Sequence, residues 1–333
     1  VYEVPLNFHQ EGLDSKIVEK LNIWTRNGDL RVWEDIIDRF KRPIEEVQIA
    51  IVGKYVHLVE SYKSLNEALI HGGIAHRCRV NLRYVNSELL EGDEGDAQCE
   101  ALLKGVDAVL VPGGFGERGI EGKIRAIRYA RENSIPFLGI CLGMQLAVVE
   151  FARHVLGIEG AGSREFDDRC PQPVIDLMDE QKQVTQLGGS MRLGSYPCRI
   201  TPKSLAHEIY GTLDITERHR HRYEVNNRYR RRLEARGMAM TGIYPEGDLV
   251  ELMELKHHPW FFGCQGHPEF KSSPREAHPI FAAFVRAALE QHEGRLPPRG
   301  VRSQRNGSKK GKLDVRTVED VSTTANGASM PLI

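Results

Sequence analysis

The sequence predicts an α/β fold, a mostly parallel sheet flanked by helices. Three observations carry this. From residue 47 onward, short apolar runs rich in β-branched residues alternate with longer segments of helical spacing. The runs are nearly continuously apolar, as strands covered on both faces are. Two glycine-rich turns, Pro112-Gly113-Gly114-Phe115-Gly116 and Gly139-Ile140-Cys141-Leu142-Gly143, follow two of the runs, at the strand ends where sites form in such sheets.

Residues 1–46 read as a connector. Tyr2-Glu3-Val4-Pro5-Leu6 is strand-like, helical patterns run around Leu13 to Leu21 and Trp33 to Phe40, and Pro43 follows. The first residue is Val1 rather than methionine, so the sequence is expected to be a fragment. The main domain spans 47–292 and opens with the strand Val47 to Gly53. A helix near Ser61 to Gly72, a strand near Val80 to Val85 and a helix near Asp96 to Leu103 come next. The strand Asp107 to Val111, a helix near Ile120 to Glu132, the strand Ile135 to Ile140 and the helical run Met144 to Val155 complete the alternation. Residues 155–200 are rich in glycine and proline and read as a loop insertion beside the site, of the kind that serves as a lid. Strands return at Ala239 to Tyr244, Leu249 to Leu255 and Trp260 to Gln265, before an amphipathic helix near Pro274 to Glu290. Residues 293–333 read as a disordered basic tail, with seven basic and no acidic residues between Arg295 and Lys312.

Composition narrows the function classes. With 41% hydrophobic residues in 333, the chain can bury one full-sized core plus extensions. Lysine plus arginine (45) balance aspartate plus glutamate (46), so global charge argues for neither a nucleic acid nor a membrane surface as partner. The six cysteines lack both zinc-site spacing and disulfide density, which suits a reducing cytoplasm. No apolar run approaches the roughly 20 residues that span a bilayer.

The chemistry is carried by three motifs. Gly139-x-Cys141-x-Gly143 lies between a strand and a helix, the setting of a nucleophile elbow, where small flanking residues permit the sharp turn. The helix following Cys141 aims N–H groups and positive dipole at the sulfur and favours its ionisation. A buried structural thiol is the plain alternative. A nucleophilic thiol needs a base and the base an orienting partner, and His267-Pro268-Glu269 supplies both. The residue before a proline is biased to extended geometry, so His267 and Glu269 are expected to project to one side. An oxyanion needs preorganised donors, and the N–H groups of Gly114 and Leu142 are the candidates; a simple tight turn is the alternative reading of the Gly-Gly motif.

Together, Pro112-Gly113-Gly114, Gly139-Ile140-Cys141-Leu142-Gly143-Met144-Gln145 and Gly266-His267-Pro268-Glu269 resemble the class I glutamine amidotransferases. Gly53-Lys54-Tyr55, Ser61-Tyr62-Lys63-Ser64, Gly114 to Gly119, Ser163 to Phe166, Gly188 to Gly194 and Glu217 to Asn226 extend the resemblance, over 1–289, to the C-terminal half of CTP synthases. The resemblance implies that 1–46 is the end of a synthetase domain plus connector, and that Cys141, His267 and Glu269 hydrolyse glutamine through a thioester. Glutamine would be held by Gly114, Leu142, Gly143, Met144, Gln145, Glu165 and Arg222; an α-amino acid needs one anion and one cation. It further implies ammonia delivery to an N-terminal synthetase domain that aminates UTP with ATP and Mg²⁺, activation by GTP near Phe115 and Arg192, and a homo-tetramer. No cofactor or metal is expected in this chain itself, which lacks a phosphate-binding G-x-x-x-x-G-K-[ST] loop. Alternatives are another class I amidotransferase, a γ-glutamyl hydrolase or a catalytically silent assembly module. The Arg218 to Arg222 stretch also admits a nucleic-acid patch or metal binding by His219 and His221, although basic runs are more often solvated faces or anion sites.

Overall fold

The computed structural model describes residues 1–24, 28–54, 59–177 and 191–296. The tail from 297, Tyr55, and Gly188 to Ser190 of the expected effector loop lie outside the described residues. Three helices come first: α1 (Val4–Gln10), α2 (Leu13–Lys20) and α3 (Arg31–Lys41). The core follows in the order β1 (Glu45–Gly53), α4 (Lys63–His76), β2 (Cys78–Asn86), α5 (Gly95–Leu103), β3 (Ala108–Val111), α6 (Ile120–Glu132), β4 (Phe137–Ile140) and α7 (Leu142–His154). Then come β5 (Ala161–Ser163), β6 (Gln172–Leu177), β7 (Arg192–Ile200), α8 (Leu205–Tyr210), β8 (Asp214–His221), β9 (Tyr223–Val225) and α9 (Asn227–Ala235). The described part closes with β10 (Met238–Tyr244), β11 (Leu249–Leu255), β12 (Phe261–Cys264) and α10 (Pro279–His292).

Among the described residues, one sheet has the order β2-β1-β3-β4-β12-β11-β10-β7-β8. The pairings from β2 through β12 are parallel, as the alternating pattern requires, and those from β12 to β8 are antiparallel. A small second sheet runs β5-β6-β9. In β1, Val47, Ile49 and Ile51 pack into the layer of α4 and α10, while Ala50 and Val52 pack into the layer of α6 and α7. Burial on both faces is why the strand reads as an unbroken apolar run. Phe137 and Phe261 stack at 4.4 Å across the β4–β12 pair, fully buried, each contributing about 2 kcal/mol by removal from water.

This pair positions the site. β4 and β12 run parallel with Phe137 opposite Phe261 and Ile140 opposite Cys264, so the residues just beyond them, Cys141 and Gln265, emerge side by side. β3 lies on the other side of β4, with Val111 opposite Gly139, and delivers Pro112-Gly113-Gly114 to the same edge.

Several expectations change. Residues 4–6 are helical: Pro5 occupies the first turn of α1, where its missing N–H costs no hydrogen bond. The segment 155–200 carries β5, β6 and the nine-residue β7, strands masked in sequence by glycine and proline. Gly162 sits in a strand because a Cβ there would lie 2.9 Å from Cys170 Sγ. α8 and α9 start where Ser204 and Asn226 accept from the N–H groups of His207 and Arg228, cap signals not used in reading the sequence. No described helix is long and apolar enough to cross a membrane.

Candidate active site

Cys141 joins β4 to α7 with φ 51° and ψ −105°, a conformation that a side chain adopts only when its surroundings enforce it. Its N–H donates to Cys264 O at 2.7 Å, tying the turn to β12. Both flanking glycines are obligatory. A Cβ on Gly139 would lie 2.7 Å from the backbone of Gly143, and one on Gly143 only 2.0 Å from Val111 O. The elbow therefore closes only when α7 enters directly against β3 and β4.

His267 lies two residues beyond Gln265, its N–H donating to Arg218 O of β8 at 2.7 Å. The His-Pro-Glu segment is not extended. Pro268 opens a short 3-10 turn, Pro268–Lys271, which brings Glu269 back so that its Oε1 accepts from His267 Nδ1 at 2.7 Å. That leaves Nε2 available to the Cys141 sulfur. Burial lowers the affinity of His267 for its proton, but the neighbouring Cys141 and the hydrogen-bonded Glu269 outweigh it and raise the imidazole to about 10. Gly113 must lack a side chain here, since a Cβ would sit 2.8 Å from His267 Cε1 and 3.4 Å from Cys141 Cβ.

Cys141 opens into a cavity of about 270 Å³ whose lining includes Gly114, Leu142, Gln145, Glu165 and Arg222. Gly114 and Leu142, the expected oxyanion donors, thus share the cavity with Cys141. Burial raises the carboxyl of Glu165, opposed by the nearby Gly116 backbone, Lys54 and Arg222. Arg222 Nε is buried without a hydrogen-bond partner, a donor available to a bound anion. Gln145 is buried and donates through Nε2 to Tyr223 O at 2.8 Å. The family profile "Glutamine amidotransferase class-I" matches residues 57–287.

The chain belongs to the class I glutamine amidotransferases.

Within that family its likeness is to CTP synthases. The CTP synthase of Syntrophus aciditrophicus (strain SB) is 61% identical over 295 residues, 89% of this chain and 54% of the relative. That of Geobacter metallireducens is 59% identical over 296 residues, again 89% and 54%. The amidotransferase chain thus spans about half the length of these relatives. The glutaminase domain of Trypanosoma brucei CTPS, solved with bound acivicin, is 38% identical with a TM-score of 0.69, covering 73% of this chain and 94% of that one.

Not every expected residue lies on the amidotransferase cavity. Gly143 and Met144 do not line it: Gly143 faces Val111 O, and Met144 is fully buried beneath Gly263. Phe115 is exposed at the mouth with the Arg220 guanidinium 5.7 Å from its ring centroid. Arg192 is elsewhere. It is buried between the rings of Tyr196 and Tyr244, paired with Glu224 Oε1 at 3.1 Å and Glu251 Oε1 at 2.8 Å, and lines a different cavity of about 690 Å³.

β8 explains the Arg-His-Arg-His pattern by its period of two. Arg218 and Arg220 face outward, over Phe270 and Phe115; His219 and His221 face inward, 2.9 Å apart, with His219 Nε2 3.3 Å from Glu251. Among the described residues no group of three or more His, Cys, Asp or Glu could hold a metal ion. Sequence reasoning missed Gln265, whose only signal was its place two residues before His267. It also missed the role of Lys54, whose ammonium donates to Phe115 O and Gly116 O and holds the loop after β3. Near Lys54 and Arg118, Lys123 on α6 is buried, and burial together with those charges pushes its ammonium down to about 8.

Proposed function

We propose that this domain hydrolyses L-glutamine to glutamate and ammonia through a thioester on Cys141. One observation carries the reading: Cys141, beside the hydrogen-bonded His267-Glu269 pair, opens on a cavity with a carboxylate, Glu165, and a guanidinium, Arg222, whose Nε has no hydrogen-bond partner, on its wall. Those two charges match the α-amino and α-carboxylate groups of an amino acid.

In this mechanism the Cys141 sulfur attacks the glutamine side-chain carbonyl carbon, a C–S bond forms, and the carbonyl π electrons move to oxygen. The N–H groups of Gly114 and Leu142 meet that oxyanion. Collapse breaks the C–N bond, and His267 passes its proton to nitrogen so that ammonia leaves. A water then gives a proton to His267 and attacks the thioester; the C–S bond breaks and glutamate is released. Glu269 keeps His267 in the tautomer with Nε2 toward the sulfur.

The ammonia serves the amination of UTP to CTP, with ATP and Mg²⁺ used by a synthetase domain outside this sequence, in a cytoplasmic homo-tetramer activated by GTP. The relatives' length supports the further domain, and the exposed apolar side chains Phe8, Ile17 and Leu21 on α1 and α2 and at its end offer a surface suited to a covering partner. Glutamate release from free glutamine by the chain, abolished in Cys141→Ala, tests the glutaminase step; an unchanged rate in that variant overturns it. The full-length protein incubated with UTP, ATP and glutamine tests the synthetase step, and failure to form CTP overturns that.

A further inference from the structure

Beside Cys141, and outside the cavity lining, lies a polar side chain that the mechanism above does not use. Gln265 is fully buried at the end of β12, its backbone N–H donating to Glu251 O at 2.8 Å. Its Nε2 lies 3.8 Å from Cys141 Sγ. A buried primary amide has two donors and an acceptor to satisfy, and no solvent reaches this one.

The orientation of that amide follows from its neighbours. Tyr223 O can only accept, and it takes a hydrogen bond from Gln145 Nε2 at 2.8 Å and one from His221 Nδ1 at 3.1 Å. Gln145 therefore presents its NH₂ group to this carbonyl, and the same nitrogen donates to Gln265 Oε1 at 3.3 Å. With its oxygen held by that donor, Gln265 turns its own NH₂ toward the sulfur. Flipping it would set two NH₂ groups against each other and turn a carbonyl oxygen toward Cys141.

We propose that Gln265 is a further catalytic residue: its side-chain amide donates a hydrogen bond to the Cys141 sulfur in the thiolate form, locked in that sense by Gln145. The bond strengthens when the sulfur carries charge, so Gln265 raises the fraction of thiolate, and it weakens as the C–S bond forms, in contrast to the Gly114 and Leu142 donors, whose bonds strengthen as the oxyanion develops. It donates to the thiolate from a fully buried position, 3.8 Å from the sulfur. The same amide pair ties the nucleophile to Gln145, a wall of the glutamine cavity.

The role rests on Cys141 being the nucleophile of glutamine hydrolysis, and its test needs no glutamine. Iodoacetamide alkylates a thiolate, a C–S bond forming as the C–I bond breaks and iodide leaves, and peptide mass spectrometry reads the product at Cys141. The pH–rate profile is compared for the wild-type chain, Gln265→Met, which keeps length without a donor, and Gln265→Glu, which sets an acceptor against the sulfur. The profile is expected to move to higher pH by about one unit in Gln265→Met, tenfold in the protonation equilibrium, and further in Gln265→Glu. A space-filling role predicts no movement. Unshifted profiles in both variants, each folded by circular dichroism, overturn the proposal; if Gln265→Glu does not fold, Gln265→Met decides alone. Shifted profiles in a chain that hydrolyses no glutamine support the hydrogen bond and overturn only the glutaminase reading.

Discussion

Glu269 Oε1 accepts from His267 Nδ1 at 2.7 Å across a single 3-10 turn, so the orientation of the imidazole is set within three consecutive residues. Glu269→Gln keeps the shape and removes the charge. The glutaminase kcat should fall by about 10²-fold with little change in KM, because the carboxylate acts on the imidazole and not on glutamine. The imidazolium also loses stabilisation, so the deprotonation of His267, held at about 10, should move to lower pH and carry a limb of the pH–rate profile with it. A profile unchanged from wild type would remove Glu269 from the triad.

Gly143→Ala places a methyl 2.0 Å from Val111 O, a backbone atom at the end of β3. It should destabilise the domain by about 2 kcal/mol or more and depress glutaminase activity, since α7 must shift to make room and carries the Leu142 N–H with it. Gly28→Ala, with nothing within 4 Å of the new carbon, should be nearly neutral. Thermal melts of the two variants measure the difference.

Arg192 is an internal cation shared by two carboxylates. Burial pushes Glu224 up to about 8 and Glu251 to about 7, and Arg192 opposes both shifts. Arg192→Met leaves two buried carboxylates without their cation and should cost about 3 to 5 kcal/mol in urea unfolding. A loss below about 1 kcal/mol would show that the residue serves a ligand rather than the fold.

Lys123 gives a prediction of opposite sign. Its ammonium titrates near 8 in the folded chain, against an unfolded value of about 10.4, so between these the unfolded state binds more protons and stability rises with pH. Below pH 8 the cost of the buried cation is full. Lys123→Met should therefore melt higher than wild type at pH 7, and the gap should close as pH rises through the window from 8 to about 10.4. A constant gap would mean that the substitution acts through packing alone.

The parallel half of the sheet and the grouping of Cys141, His267 and Glu269 were legible because each is written in local patterns: unbroken apolar runs for β1, β3 and β4, and glycines that only a crowded turn demands. Whole elements between 161 and 235 were not, since glycine and proline hide β5 and β6 and polar side chains hide β8, whose inward face is Glu217, His219 and His221. Gln265 was silent for another reason. Its partners Cys141 and Gln145 are more than a hundred residues away in sequence, and only the β4–β12 register brings them together.

The alternation along β8 has an evolutionary corollary. Because guanidinium groups at the mouth and imidazoles in the interior come from one strand by turns, an insertion or deletion of a single residue there would exchange them, exposing His219 and burying Arg218 and Arg220. The eight residues of β8, paired along their length to β7, share one reading frame for two surfaces. Either surface can drift by point substitution, but neither can change its spacing without the other, so the length of this segment is expected to be fixed even where its letters vary.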